Sequence, residues 1–155
     1  MSKASRRARV RVRRLVFVMA LAACGGEAEP APAVLHLGQD TVVLARGARI
    51  TDVHVRADGD GAEFLPDEVE ARPGDVLRFS SEDGSPHALV FDRGETDAAG
   101  FAFVTETDQQ RSLPLTEQGA AWIVTFADAP AGRYVIRCLT HGASLEVTVG
   151  GPDGH

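Results

Sequence analysis

The run Leu145-Glu146-Val147-Thr148-Val149 places an apolar side chain at every odd position and a polar one at every even position. A period of two is the mark of a strand with one face in a core and one in water. Similar short runs recur at 41–45, 50–57, 76–80, 87–91, 101–105, 122–126 and 134–138. Turn signals built on proline and glycine separate them, among them Arg72-Pro73-Gly74-Asp75 and Ala129-Pro130-Ala131-Gly132. No long segment keeps a helical period and no internal repeat is present. The pattern predicts an all-β domain, an antiparallel sandwich or barrel. Residues 92–120 fit it poorly, being rich in Asp, Glu, Thr, Gln and Gly around two apolar islands, 101–105 and 113–115. They read as a long excursion with a short helix between two core strands.

The first 33 residues belong to a different regime. Residues 1–23 carry seven basic side chains and no acidic one, followed by a short apolar run over 15–23. That run falls short of the about 20 residues a membrane-spanning helix needs, and it has the anatomy of a secretory signal. Its end, Leu21-Ala22-Ala23-Cys24, resembles the lipobox of bacterial lipoproteins, which implies cleavage before Cys24 and lipidation of its sulfur. Residues 24–33, with Gly-Gly-Glu-Ala-Glu-Pro-Ala-Pro-Ala after the cysteine, form a low-complexity tether. Residues 34–150 remain for the folded domain, and 151–155 for a disordered tail. Export is therefore expected, to the periplasm or the outer cell surface, on a lipid anchor. Removing 1–23 leaves nine arginines, no lysine and all 22 carboxylates, a formal charge of −13 in place of −6. A basic footprint for nucleic acid is absent, and an acidic surface favours a basic partner.

With the Cys24 sulfur lipidated, the exported domain then holds one cysteine, Cys138, with no second thiol to pair with. A lone thiol outside the cytoplasm is open to oxidation unless something occupies it. His141 follows three residues later, in a turn between two strand-like runs. Of the other histidines, His36 and His54 lie within strand-like runs and His155 ends the chain. His87 differs: it stands at the edge of an apolar strand, directly after Ser85-Pro86. Thiolate and two imidazoles are the donors of a trigonal blue-copper site, whereas zinc prefers four ligands and no fourth strong one is evident.

Two blocks carry a family resemblance. The first runs from Phe64-Leu65-Pro66 through Ala71-Arg72-Pro73-Gly74-Asp75 to Ser85-Pro86-His87-Ala88-Leu89-Val90-Phe91. The second runs from Ala131-Gly132-Arg133-Tyr134 to Cys138-Leu139-Thr140-His141-Gly142 and on to Val149. In type and order they resemble the cupredoxins, small type 1 blue copper proteins such as plastocyanins, pseudoazurins and amicyanins. The resemblance implies a Greek-key β-sandwich, one copper ion cycling between Cu(I) and Cu(II), and His87, Cys138 and His141 as its equatorial ligands. The sequence also departs from that pattern. The family's weak axial methionine has no counterpart, since Met1 and Met19 are the only methionines and both precede Cys24. Ser144 and Leu145 occupy that neighbourhood, and the alternation turns Glu146 away. Ala88 stands where many relatives have an asparagine that ties the copper loop, so Ser85 or Thr140 is expected to supply that support.

The expected function is electron transfer by a monomer, with a redox partner such as a basic cytochrome. A periplasmic copper carrier or buffer, or a metal-free cupredoxin-like binding module, are the alternatives. No nucleophile–base pair or substrate-pocket motif suggests an enzyme.

Overall fold

The computed structural model describes residues 34–37 and 40–151. The expected signal, the whole tether with Cys24, and all but the first residue of the expected tail lie outside the described residues. Strands β1 (Val34–Leu37) and β2 (Asp40–Val43) pair as an antiparallel ribbon. Two four-stranded sheets follow. One has the order β4–β3–β6–β8, made of β3 (Ile50–Asp58), β4 (Gly61–Leu65), β6 (Val76–Ser81) and β8 (Ala121–Thr125). The other has the order β5–β10–β9–β7, made of β5 (Glu68–Ala71), β7 (Leu89–Phe91), β9 (Gly132–Cys138) and β10 (Ser144–Val149).

The alternation seen in the sequence sets the faces. Val53 and Val55 of β3, Leu77 and Phe79 of β6, Tyr134, Ile136 and Cys138 of β9, and Leu145 and Val147 of β10 all have zero exposure. They meet in one core cluster drawn from both sheets, which makes the domain a sandwich. Burying each large aliphatic side chain contributes about 1.5–3 kcal/mol. The sheets are mixed rather than purely antiparallel: β3 runs parallel to β6 (Ile50 opposite Val76) and β5 parallel to β10 (Val69 opposite Val147). Parallel neighbours need crossover connections: β3 reaches β6 by way of β5 in the other sheet, and β5 reaches β10 by alternating between the sheets through β6, β7, β8 and β9.

One clamp joins the turn before β6 to the residue that enters β3. Asp75 ends the Arg72-Pro73-Gly74 turn, where Gly74 takes φ of 96°. Its buried carboxylate accepts the backbone N–H of Arg49 (2.8 Å) and of Arg72 (2.9 Å), and the Arg49 guanidinium (3.0 Å). Burial alone pushes its pKa up, but these donors outweigh burial and hold the carboxyl below its ordinary value.

The excursion between β7 and β8 holds the expected helix, α1 (Ala98–Glu106). Residues 101–105 are thus helical, not the strand their Phe-Ala-Phe-Val-Thr composition suggests. Gly100 lets the helix sit against Tyr134, since a Cβ there would fall 2.8 Å from the phenol ring. The chain then returns along β7. Phe91 N–H donates to Gln110 C=O, Ser112 N–H to Leu89 C=O, and His87 and Leu115 exchange both backbone bonds. The excursion therefore walls β7 and the His87 bridge that precedes it, with Leu115 buried and Leu113 84% exposed.

Candidate metal centre

Cys138 is the last residue of β9, and the next five residues make a tight return into β10. Gly142 N–H donates to Cys138 C=O (2.8 Å), and Cys138 N–H donates to Ala143 C=O (2.8 Å). Gly142 takes φ of 77°, a left-handed conformation that glycine adopts without strain. The turn brings His141 back over Cys138, with Nδ1 3.7 Å from Sγ. On the other side, Leu89 of β7 pairs with Cys138, so the residues just before β7 flank the thiol. His87 Nδ1 also lies 3.7 Å from Sγ. The imidazole centroids are 5.0 Å apart, and the donor atoms of all three residues lie within 4.8 Å of one another.

The three sequence candidates are therefore brought together at one end of the sandwich. His87 and Cys138 have zero exposure, while His141 is partly exposed. The thiol is free. One soft sulfur and two imidazole nitrogens facing it form a donor set that fits copper. Each is held by its place in the fold: Cys138 ends β9, His87 bridges to Leu115, and His141 lies in a closed turn. His54 lies elsewhere, with Nδ1 2.9 Å from Ser80 Oγ on the β4–β3–β6–β8 sheet. Nothing of the side chain of His36 is described, and His155 lies outside the described residues.

The two residues expected near the place of the family's methionine divide. Ser144 is exposed and sits opposite Arg137, whereas Leu145 has zero exposure and sits opposite Ile136. Ile136 and Cys138 share a face of β9, so Leu145 is the one on the site's face. Glu146 points outward, where its carboxylate accepts Arg133 Nε–H (2.8 Å).

Support for the loop departs from expectation. Leu139 N–H donates to Ala88 C=O (2.8 Å), so backbone ties the Cys138 loop to the His87 strand. Thr140 is exposed. Ser85 acts through its backbone N–H, which donates to Asp83 Oδ1 (2.8 Å). Asp83 is the residue that the sequence reading overlooked. Its Oδ1 lies 3.1 Å from His87 Nε2, and its Oδ2 accepts Ala57 N–H (2.5 Å). The Ala57 bond above all, then Ser85 and His87, hold its carboxyl far below the ordinary carboxylate range. The available signal was the Asp83-Gly84 turn dipeptide four residues before His87.

A family model described as copper binding proteins of the plastocyanin/azurin family matches residues 51–150. The chloroplastic plastocyanin of Silene latifolia subsp. alba is 29% identical over 110 residues, covering 69% of this chain and 64% of that one. The chloroplastic plastocyanin of Pisum sativum is 31% identical over 112 residues, covering 70% and 64%. The chain thus spans just under two thirds of the length of these relatives. The solved structure of a mutant fern plastocyanin superposes with a TM-score of 0.52 at 20% identity, over 64% of this chain and all of that one, a likeness of fold.

Proposed function

The chain belongs to the plastocyanin/azurin family of copper-binding proteins, and from that premise we propose that it is an exported one-electron carrier whose single copper ion is held by His87, Cys138 and His141. The observation that carries this reading is the buried Cys138 thiol with an imidazole Nδ1 on each side at 3.7 Å. When bound, copper supplies one-electron redox chemistry between Cu(I) and Cu(II). The chain's own residues do the rest. Strand ends hold the donors so that little moves between redox states, the core excludes water from the thiol, and the partly exposed His141 offers the edge nearest a docking partner. The exposed Leu139, beside Cys138, and Leu113, of the segment along β7, supply apolar surface for that contact.

The absence of a methionine after Met19, with Leu145 on the site's face, supports a centre held by three donors with no thioether as a fourth. Losing that donor favours Cu(I), so the reduction potential is expected above that of methionine-ligated relatives. A potential at or below theirs contradicts this. The composition of 1–23 and the lipobox-like Leu21-Ala22-Ala23-Cys24 support export and a lipid anchor. Among the described residues no helix is long and apolar enough to cross a membrane. Cys24→Ala should move the protein from the membrane to the soluble fraction, and unchanged partitioning would refute the anchor.

The functional test is Cu(II) addition to the purified chain followed by voltammetry. Electron transfer predicts an intense visible thiolate-to-copper band and reversible one-electron cycling. Bound copper that does not cycle would make the protein a copper carrier, and no binding would make it a metal-free module.

A further inference from the structure

His87 is gripped on both ring nitrogens. Nδ1 faces the Cys138 sulfur at 3.7 Å and Nε2 faces Asp83 Oδ1 at 3.1 Å. An ionised carboxylate can only accept, so the proton of a neutral His87 sits on Nε2 and the Nδ1 lone pair is turned toward the thiol. The imidazole has zero exposure, while the Asp83 side chain is 29% exposed. Bulk solvent therefore does not reach the ring, and Asp83 Oδ1 is the acceptor placed for the buried Nε2–H. The carboxylate is itself immobilised from two directions, by Ala57 N–H on β3 and by Ser85 N–H in its own turn. The result is a chain of fixed contacts running from the β4–β3–β6–β8 sheet, through Asp83 and His87, to the thiol at the end of β9.

We propose that Asp83 is a positioning residue of the copper centre: it fixes the tautomer and ring orientation of His87 and places a full negative charge one hydrogen bond behind that ligand. This deepens the three-donor reading above and rests on it. A carboxylate behind a ligating imidazole raises the ligand's basicity. The added charge favours Cu(II) over Cu(I), so Asp83 acts against the rise in potential that the missing axial sulfur produces. The two levers are separable because Asp83 and Leu145 approach the site from different elements.

The test pairs Asp83→Asn with the wild-type protein. The amide keeps an oxygen that can accept from Ala57 or Ser85 but removes the charge. Cu(II) affinity is expected to fall about 10–100-fold, as for other such supporting residues, with a smaller fall for Cu(I). Each tenfold change in the ratio of the two affinities raises the potential by about 59 mV for one electron. A variant with unchanged potential and unchanged Cu(II) affinity overturns the inference. A second measurement needs neither copper nor a folded variant: 15N NMR of the metal-free wild-type protein at pH 8. His87 is expected to show a protonated Nε2 and an unprotonated Nδ1, and the opposite tautomer or a rapid mixture overturns the inference. If instead the wild-type protein fails to develop a thiolate-to-copper band, the three-donor reading fails, and the NMR result still decides whether Asp83 orients His87.

Discussion

At the scale of single residues, the centre depends on one sulfur. Cys138→Ser replaces the soft donor with a hydroxyl and is expected to abolish the intense visible band; colour that survives in this variant would place the site elsewhere. Leu145 is the second residue of interest, fully buried on the face of Cys138. Leu145→Met conserves volume and should cost under about 1.5 kcal/mol, while offering a thioether on that face. A lowered reduction potential is expected, and an unchanged one would show that Leu145 does not border the metal. The three candidate donors that the fold brings together were legible in the sequence because each carries a local signal: Cys138 and His141 share one turn, and Pro86 directly precedes His87. Asp83 was not legible in the same way. Its grip depends on Ala57, 26 residues earlier, and nothing in the local sequence shows that β3 lies beside this turn.

At the scale of elements, the alternating runs gave most strands of both sheets to within a few residues. They missed Gly61–Leu65 and Glu68–Ala71, short strands with few β-branched residues that are held by pairing with β3 and β10. The parallel pairs were equally hidden, because they join segments far apart in the chain. Residues 101–105 were misread because local propensity was overruled by tertiary context. Asp97 N–H is tied to Arg133 C=O, Phe101 N–H to Asp97 C=O, and Gly100 presses on Tyr134. Gly100→Ala should therefore destabilise the domain by about 1–3 kcal/mol through overpacking, although alanine is the better helix former. A urea midpoint at or above wild type would show that the helix is not held against Tyr134. The segment along β7 makes a matching prediction. Leu89 N–H donates to Ser112 Oγ (3.1 Å) in a buried setting. Ser112→Ala leaves that donor unsatisfied, at a cost of about 1–3 kcal/mol, and unfolding in urea measures it.

At the scale of the whole molecule, charge decides both stability and encounter. Because the folded-state pKa of Asp75 lies below its ordinary 3.8, its contribution is present in full above that value. It is lost as pH falls from about 4 through the lower folded-state pKa. Asp75→Asn should flatten the stability–pH curve across that acid window and lower stability at pH 7; an unaltered acid slope would remove Asp75 as its source. Among the described residues, Arg49, Arg56, Arg78, Arg133 and Arg137 each face a carboxylate. Much of the positive charge is thereby neutralised locally, and the surplus of carboxylates shapes the outer field. At low salt a cationic one-electron oxidant should react faster than an anionic one of equal driving force. The two rates should converge as ionic strength passes about 0.1 M, where the Debye length is about 10 Å. The central claim, that this fold gathers one sulfur and two imidazoles around a single copper ion, is tested most directly by X-ray absorption at the copper edge on the copper-loaded chain. The account predicts one ion per molecule with one short copper–sulfur and two copper–nitrogen distances and no second sulfur; a first shell of nitrogen and oxygen alone would contradict it.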